Sequence, residues 1–388
     1  MLKPLWDSRE IIVAVGTGGV GKTTASASIA IAAAAAGKKT LVMTIDPSRR
    51  LAHALGIDAD GNTEQELSVE ELSRSGIDVE QSLWAMIPDV KTTFDRLVER
   101  FAPDAERREA IMQNRIYKHF SSALAGSLEY AAVERLYEIH ASGRYDLIVL
   151  DTPPSQNVVE FLDAPSRILD FLEQETLQWL VKPYSLAGRF SVKLLDLGSS
   201  FILKTLGRLA GADTLRELAE FIMSFQGMYD GFRERSEAVR SLLRSPSVAF
   251  VLVGSTARFQ HRAMVEFRRQ LHQEGISVRS VVLNRVRPPL EKNSSQQAIL
   301  DRVERVLEDR PGSARHEVIA AAREELILAK RDQEAIDATK LEFPELPLIT
   351  LPELVTDVRD LEALALLYRE FLEHVPLDVG TDTDSGKN

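Results

Sequence analysis

The chain has 388 residues, of which 44% are hydrophobic and 27% are charged, as in an ordinary folded protein. Its formal net charge of −11 argues against nucleic acid or an anionic membrane as the main partner, and no nucleic-acid partner is expected. It contains no cysteine, which excludes disulfides, thiolate metal sites and cysteine nucleophiles.

The first predicted element is a strand at residues 11–15, and a glycine-rich loop follows it directly. Residues 16–24 read GTGGVGKTT, the full phosphate-binding pattern G-x-x-x-x-G-K-T placed between a strand and a helix. The glycines let backbone N–H groups point at phosphate oxygens. Lys22 is expected to reach the β- and γ-phosphates, Thr23 to bind Mg²⁺ and Thr24 to contact the α-phosphate. The predicted nucleotide-binding residues of the loop are Gly18, Gly19, Val20, Gly21, Lys22, Thr23 and Thr24.

A helix is predicted from residue 22 to about residue 36, where Gly37 stops it, and a second strand at residues 40–45. Asp46, Pro47 and Ser48 follow this strand. In a parallel sheet they lie at the same edge as the phosphate loop, where a carboxylate can orient or deprotonate an attacking water. Asp-Pro-Ser is also ordinary helix-capping chemistry, and the pattern alone favours neither role for Asp46.

Two long spacers, at about residues 88–140 and 166–246, have helical periodicity and exceed the length of a simple crossover. They predict a helical insert subdomain. Within the second spacer, residues 184–212 interleave apolar and basic side chains, as in a groove for an apolar client or a membrane-facing helix. The same pattern fits a helical core with a solvated basic face, and both interpretations stay open.

The apolar strand predicted at residues 146–150 leads into Asp151. A buried strand that presents a carboxylate at its end has the Walker-B form, which binds Mg²⁺ directly or through water. Further strands are predicted at residues 83–87, 248–253, 278–283 and 346–351. The alternation of strands and helices predicts an α/β P-loop NTPase fold, with a mostly parallel twisted sheet, helices on both faces and the helical insert.

The predicted organisation is one ATPase domain over residues 1–375 and a polar tail, residues 376–388, that we expect to be disordered. Because the chain shows neither an apolar leader nor an apolar stretch of membrane-spanning length, we expect a cytoplasmic protein. Peripheral contact with a membrane stays open.

These segments together resemble the ArsA-like ATPases, which comprise the arsenical-pump ATPase and its tail-anchored-protein-targeting relatives. They belong to the deviant-Walker-A class with MinD, ParA and nitrogenase iron protein. The resemblance runs in order along nearly the whole chain, through the loop at 16–24, DPSRRL at 46–51, DTPPS at 151–155, Asn284 and LPEL at 351–354. The DTPPS form is similar to the actinobacterial-type branch, whose members often work beside a second ArsA-like paralogue.

The resemblance implies a dimeric enzyme that binds ATP and Mg²⁺ and hydrolyses ATP. Carried over by position, it makes Asp46 the water-activating residue. Lys22 of the phosphate loop is the second predicted catalytic residue. The resemblance also makes Asp151 the Walker-B acid of switch II, and it assigns adenine contacts to Asn284 and Pro352.

Two features depart from the family pattern. The pump ATPase binds arsenite through cysteine thiolates and the targeting factors clasp their dimer with zinc through cysteines, so neither metal site exists in a chain without cysteine. The second loop position, a lysine that crosses to the partner's phosphates in the family, is Thr17. Three explanations stay open: pairing with a lysine-bearing paralogue, replacement of the charge by Arg49 or Arg50, or slow hydrolysis.

We therefore expect a switch ATPase, either a homodimer or a heterodimer with a lysine-bearing paralogue, that captures or targets an apolar client segment or a membrane protein. The alternatives are a MinD- or ParA-like positioning ATPase and a nucleotide-binding regulatory subunit with weak turnover. The acidic charge and the large helical insert weigh against the positioning ATPase.

Overall fold

The computed structural model describes residues 5–45, 50–58, 63–123, 127–153, 217, 220–221, 223–224, 228–287, 296–307 and 312–374. Several predicted features lie outside these residues: Asp46 and Arg49 of the DPSRRL segment, which matches the family's switch I, residues 154–155 of the DTPPS segment, which matches its switch II, the basic amphipathic segment 184–212, and the tail 376–388.

In the described residues the fold is built on an eight-stranded sheet with the order β3-β4-β2-β5-β1-β6-β7-β8. The strands are β1 (Ile11–Val15), β2 (Thr40–Thr44), β3 (Gln65–Leu67), β4 (Leu83–Met86), β5 (Leu147–Asp151), β6 (Val248–Ser255), β7 (Val278–Val286) and β8 (Leu348–Pro352). Neighbouring strands are parallel, except that β3 pairs antiparallel with β4 at one edge. The predicted mostly parallel α/β sheet is confirmed, and β3 is the described strand that the sequence pattern missed.

Helices cover both faces of the sheet. They are α1 (Lys22–Ala35), α2 (Arg50–Leu55), α3 (Val69–Arg74), α4 (Val90–Phe101), α5 (Ala105–Gln113), α6 (Arg115–Ala123), α7 (Ser127–Ala141), α8 (Tyr229–Leu243), α9 (Arg258–Gln273), α10 (Gln296–Val306), α11 (Gly312–Glu342) and α12 (Leu361–His374). None of these described helices has both the length and the apolar character needed to span a bilayer.

Strand β1 shows how the sheet is buried on both sides. Ile11, Val13 and Val15 pack into one core with helices α7, α8 and α9, whereas Ile12 and Ala14 pack into a second core with α1 and α12. A strand buried on both faces has a continuous apolar sequence rather than an alternating one. This is why the run at residues 11–15 predicted a central strand.

Helix α1 follows the phosphate loop and packs into the second core. Its alanine side chains are small, so the helix packs closely against α12 and the sheet, and Ala25 is fully buried. The helix ends in a Schellman motif, in which the Lys38 N–H donates to Ala33 O at 3.0 Å and the Gly37 N–H donates to Ala34 O at 3.1 Å. Gly37 has the positive φ of 80° that this motif requires, as the sequence predicted.

A third core lies among the helices between β4 and β5 and α8. Its aromatic centre stacks Tyr130 between Phe94, 5.5 Å away, and Phe232, 6.2 Å away, measured between ring centroids. Spacer 88–140 is therefore helical in its described residues, and the described end of the second spacer packs against it. The division into an ATPase domain and an insert remains a prediction.

A buried ion pair joins α7 to α8 beside the third core. The side chains of Glu134 and Arg235 are 5% and 8% exposed, and Arg235 Nε donates to both carboxylate oxygens, at 2.7 and 3.0 Å. The guanidinium also stacks over the Tyr137 ring. Burial raises the pKa of Glu134 against the opposing effect of the Arg235 guanidinium. Because α7 leads to β5 and α8 leads to β6, the pair ties together the helices that precede both neighbours of β1.

Candidate nucleotide site

The carboxyl ends of the parallel strands bring the predicted site residues to one edge of the sheet. Asp151 ends β5, the loop at 16–21 connects β1 to α1, and Asn284 and Pro352 lie at the ends of β7 and β8. This edge is where ligands bind in open α/β sheets. Asp46 follows the end of β2 in the chain but lies outside the described residues.

The phosphate loop curls around the ammonium group of Lys22. Lys22 is only 6% exposed, and its Nζ donates to the backbone oxygens of Gly16 and Thr17, each at 3.0 Å. Gly18 and Gly19 are exposed, whereas Val20 is buried, so the loop is open to solvent at its tip and anchored behind it. The positive charge and the amino end of α1 together favour an anion at this position.

Two glycines of the loop have no room for a side chain. A Cβ on Gly16 would lie 2.2 Å from the backbone oxygen of Val253 in β6, and a Cβ on Gly21 would lie 1.9 Å from Asn284 Nδ2. Gly21 also has a φ of 90°. The loop therefore needs glycine at both positions so that its backbone can pass against β6 and β7.

Replacing Gly16 with alanine is expected to lower the free energy of unfolding by about 2–4 kcal/mol, because the new methyl group meets fixed backbone. Gly19→Ala is the matched control: it also has a positive φ, of 78°, but nothing lies within 4 Å of its Cβ position. Gly19→Ala should lower the free energy of unfolding by only about 1 kcal/mol, which is the conformational strain of a side chain at this φ. Urea unfolding curves of both variants test this, and equal losses would show that packing against Val253 is not the cause.

Asp151 is the centre of a small buried hydrogen-bond cluster. Its side chain is 0% exposed, and its Oδ2 accepts from Thr23 Oγ1 at 2.7 Å and from Thr44 Oγ1 at 2.8 Å. The next residue, Thr152, donates from Oγ1 to the backbone oxygen of Ala14 at 2.7 Å. The end of β5 is thus bound to both of its neighbours and to the first turn of α1.

This cluster fits a magnesium ion that accompanies a nucleotide. A carboxylate and a hydroxyl are hard oxygen ligands, which Mg²⁺ prefers, and Mg²⁺ usually takes its remaining ligands from phosphates and water. Within the described part of the chain, no group of three or more His, Asp or Glu side chains is placed to hold a metal by itself. Thr23 and Asp151 are the residues that would hold the ion.

Asn284 lies against the loop from the other side. It is 4% exposed, and its Nδ2 donates to the Val20 backbone oxygen at 3.0 Å. A register shift between β7 and β8 follows Leu283, and the next residue after Asn284, Arg285, has a φ of 59°. The bulge marks the site of Asn284, and its contact with adenine remains a prediction, as does that of Pro352.

Arg287 forms a charge cluster at this end of the sheet that sequence reasoning missed. Its guanidinium contacts Glu325 at 3.1 Å, Glu353 at 3.0 Å and Asp332 at 3.4 Å, and its backbone N–H donates to Asp332 at 3.0 Å. Burial acts to lower the pKa of Arg287, but the three carboxylates outweigh it and raise the pKa. The cluster ties the ends of β7 and β8 to α11 beside Asn284.

Two further residues at the loop were not predicted. Gln260, on the first turn of α9, accepts a hydrogen bond through Oε1 from the Thr17 hydroxyl. Thr44 binds Asp151, and it was detectable as a polar residue that ends an apolar strand next to β5. Gln260 and Arg287 carry no local signal, because their partners are distant in the sequence.

A phosphate loop between β1 and α1, with its threonine bonded to an aspartate at the end of β5, defines the P-loop NTPase class. Within that class, residues 9–311 match the family described as anion-transporting ATPase, ArsA type. The chain belongs to this family, and the predicted family resemblance is confirmed.

Relatives of this chain carry ATPase names. It is 24% identical over 286 residues to the putative arsenical pump-driving ATPase 1 of Aquifex aeolicus. The matched region is 72% of this chain and 63% of that protein. The chain is 23% identical to the putative arsenical pump-driving ATPase 2 of the same organism, over 70% of this chain and 79% of the relative. It is 27% identical to the ATPase GET3 of Rhodotorula glutinis, over 75% of this chain and 73% of the relative. The chain thus spans less than two thirds of the first of these relatives.

Proposed function

We propose that this chain is a Mg²⁺-dependent ATPase that uses its nucleotide state to capture and release an apolar protein client. The observation that carries the proposal is the hydrogen bond between Thr23 and Asp151, 2.7 Å long, beside a Lys22 held inside the phosphate loop. These three side chains supply what phosphoryl transfer requires from this part of a protein: positive charge and a metal anchor.

Each predicted residue has one task in the proposed reaction. Lys22 binds the β- and γ-phosphates. Thr23 and Asp151 would hold Mg²⁺, which would supply further positive charge to neutralise the phosphates. Asp46 orients and deprotonates the attacking water, and Asn284 and Pro352 contact adenine. The support for Asp46 is its position in the sequence, two residues after the end of β2, the strand that pairs with β5.

The route from nucleotide to client starts at two strand ends. Asp151 is followed, after Thr152 and Pro153, by the segment 154–216, which includes the basic amphipathic stretch. The DPSRRL segment at 46–51, which matches switch I of the family, likewise follows a strand of the sheet, β2. We propose that a change in the phosphates that alters the contacts of Asp151 is passed along the chain to the segment proposed to hold the client, because that segment follows Asp151 in the sequence.

The proposed client is an apolar helix rather than arsenite. The As(III) centre of arsenite is soft and needs soft thiolate ligands, and the chain has no cysteine. The test uses a reporter with a C-terminal apolar helix of about 20 residues and a matched reporter with charged residues in that helix. The Asp46→Asn variant with ATP should retain the apolar reporter only, and ADP should release it. Equal retention of both reporters, or of neither, would overturn the proposal.

We further propose that the active unit is a dimer in which a lysine-bearing paralogue supplies the charge that Thr17 lacks. The support is that the Thr17 side chain turns to Gln260 of its own chain. Arg50, exposed at the start of α2, is the alternative source of charge within this chain. Adding the paralogue should raise ATP turnover, and Arg50→Ala should not lower it. No stimulation by any lysine-bearing partner would contradict the heterodimer.

A further inference from the structure

The loop position that departs from the family pattern is held by a buried side chain of α9. The Thr17 hydroxyl donates to Gln260 Oε1, and Gln260 is 6% exposed. Gln260 lies five residues after the end of β6, the strand whose Val253 backbone touches the position of a Gly16 Cβ. Strand β6 and helix α9 therefore support two consecutive residues of the phosphate loop.

The backbone of the same residue holds the catalytic lysine. Thr17 O accepts a hydrogen bond from Lys22 Nζ at 3.0 Å, and Gly16 O accepts another at the same distance. A continuous series of contacts thus runs from α9 through the Gln260 carboxamide, the Thr17 hydroxyl and the Thr17 carbonyl to the ammonium group. Rotation of the Thr17 peptide would remove one of these anchors.

We infer that Gln260 is a positioning residue for Lys22 and acts through Thr17. A carboxamide fixed in the protein interior orients its partner better than water does, because the water would be exchanged and reoriented freely. The hydroxyl at position 17 then has a function within its own chain: it fixes the peptide that directs Lys22 toward the phosphates. This inference rests on the proposed nucleotide site, since it names the group that organises it.

The first test is the chemical reactivity of Lys22 without nucleotide, measured by acetic anhydride labelling and mass spectrometry. Thr17→Val and Gln260→Leu should each raise the labelling rate of Lys22 several-fold relative to exposed Lys330. The double variant should match the singles, because both substitutions remove the same contact. Thr17→Ser, which keeps the hydroxyl, should retain the wild-type rate.

The second test is a comparison of KM with thermal stability. Loss of one lysine anchor should raise the KM for ATP about tenfold in Thr17→Val and Gln260→Leu, with smaller changes in kcat. The control is Gln270→Leu, the same substitution on the same helix at a half-buried position bonded to Glu266, which should leave KM and Lys22 labelling unchanged.

Unchanged Lys22 labelling in Thr17→Val, additive effects in the double variant, or a failure of Thr17→Ser to retain the wild-type rate would each overturn the inference. If Gln260→Leu does not fold, the valine and serine variants of the partly exposed Thr17 still decide it. The absence of ATP turnover in the wild type would instead refute the proposed function, and the labelling result would still decide the role of Gln260.

Discussion

Replacing Asp151 with asparagine is expected to lower Mg²⁺-dependent ATP turnover roughly 100-fold and to leave the fold intact. The asparagine oxygen can accept the same two hydroxyl hydrogen bonds, from Thr23 at 2.7 Å and Thr44 at 2.8 Å. The amide has no charge with which to hold a metal, so the loss falls on catalysis rather than on packing. Phosphate release across a Mg²⁺ titration, with a urea unfolding curve for each protein, measures both quantities.

Thr44→Val is the matched control for Asp151→Asn. It removes one hydroxyl from the same carboxylate oxygen but keeps the negative charge and the Thr23 contact. We expect ATP turnover to fall by less than about tenfold, because the free energy of one lost hydrogen bond corresponds to a factor of at most about that size. If Asp151→Asn turned over ATP at the wild-type rate at saturating Mg²⁺, Asp151 would be a structural residue and the metal would be held elsewhere.

The second large effect is on stability. Replacing Glu134 with alanine is expected to lower the free energy of unfolding by about 3–5 kcal/mol, because it leaves the Arg235 guanidinium buried without its carboxylate. Both side chains are less than 10% exposed, and Arg235 Nε reaches both oxygens of Glu134. Urea unfolding at neutral pH gives the change directly.

Helix α8 also offers the control for this prediction. Arg233 and Glu237 form a pair on the same helix at 3.2 Å, but their side chains are 61% and 67% exposed. Glu237→Ala should cost less than about 0.5 kcal/mol. Replacing Glu134 with leucine and Arg235 with methionine together should recover most of the loss, because no unpaired charge remains. Equal costs for Glu134→Ala and Glu237→Ala would contradict the buried-pair explanation.

The features that local sequence controls were predictable. The run at residues 11–15 is apolar throughout because β1 is buried on both faces, and Gly37 marks the end of α1 because the Schellman motif needs a positive φ. The phosphate loop was recognisable because its function requires glycine at fixed positions. The structure gives the physical reason at Gly16 and Gly21, where backbone and Asn284 occupy the space of a side chain.

The features that depend on distant contacts were not predictable. Gln260 is 243 positions from Thr17, and an isolated glutamine at the start of a helix has no distinctive pattern. Arg287 needs carboxylates from α11 and from the end of β8, which only the folded chain assembles. Strand β3 has only three residues and pairs at the sheet edge, so it is too short to show a period. The role of Asp46 stays a prediction.

ATP hydrolysis at the phosphate loop can be measured as phosphate release by wild type and by Lys22→Ala. Both proteins should be assayed alone and with a lysine-bearing paralogue, in Mg²⁺ and in excess chelator. We predict that wild type turns over ATP only with Mg²⁺ and that Lys22→Ala is at least about 100-fold slower, because the charge on the phosphates is no longer neutralised. Equal rates for the two proteins would show that the phosphate loop is not the site of ATP hydrolysis.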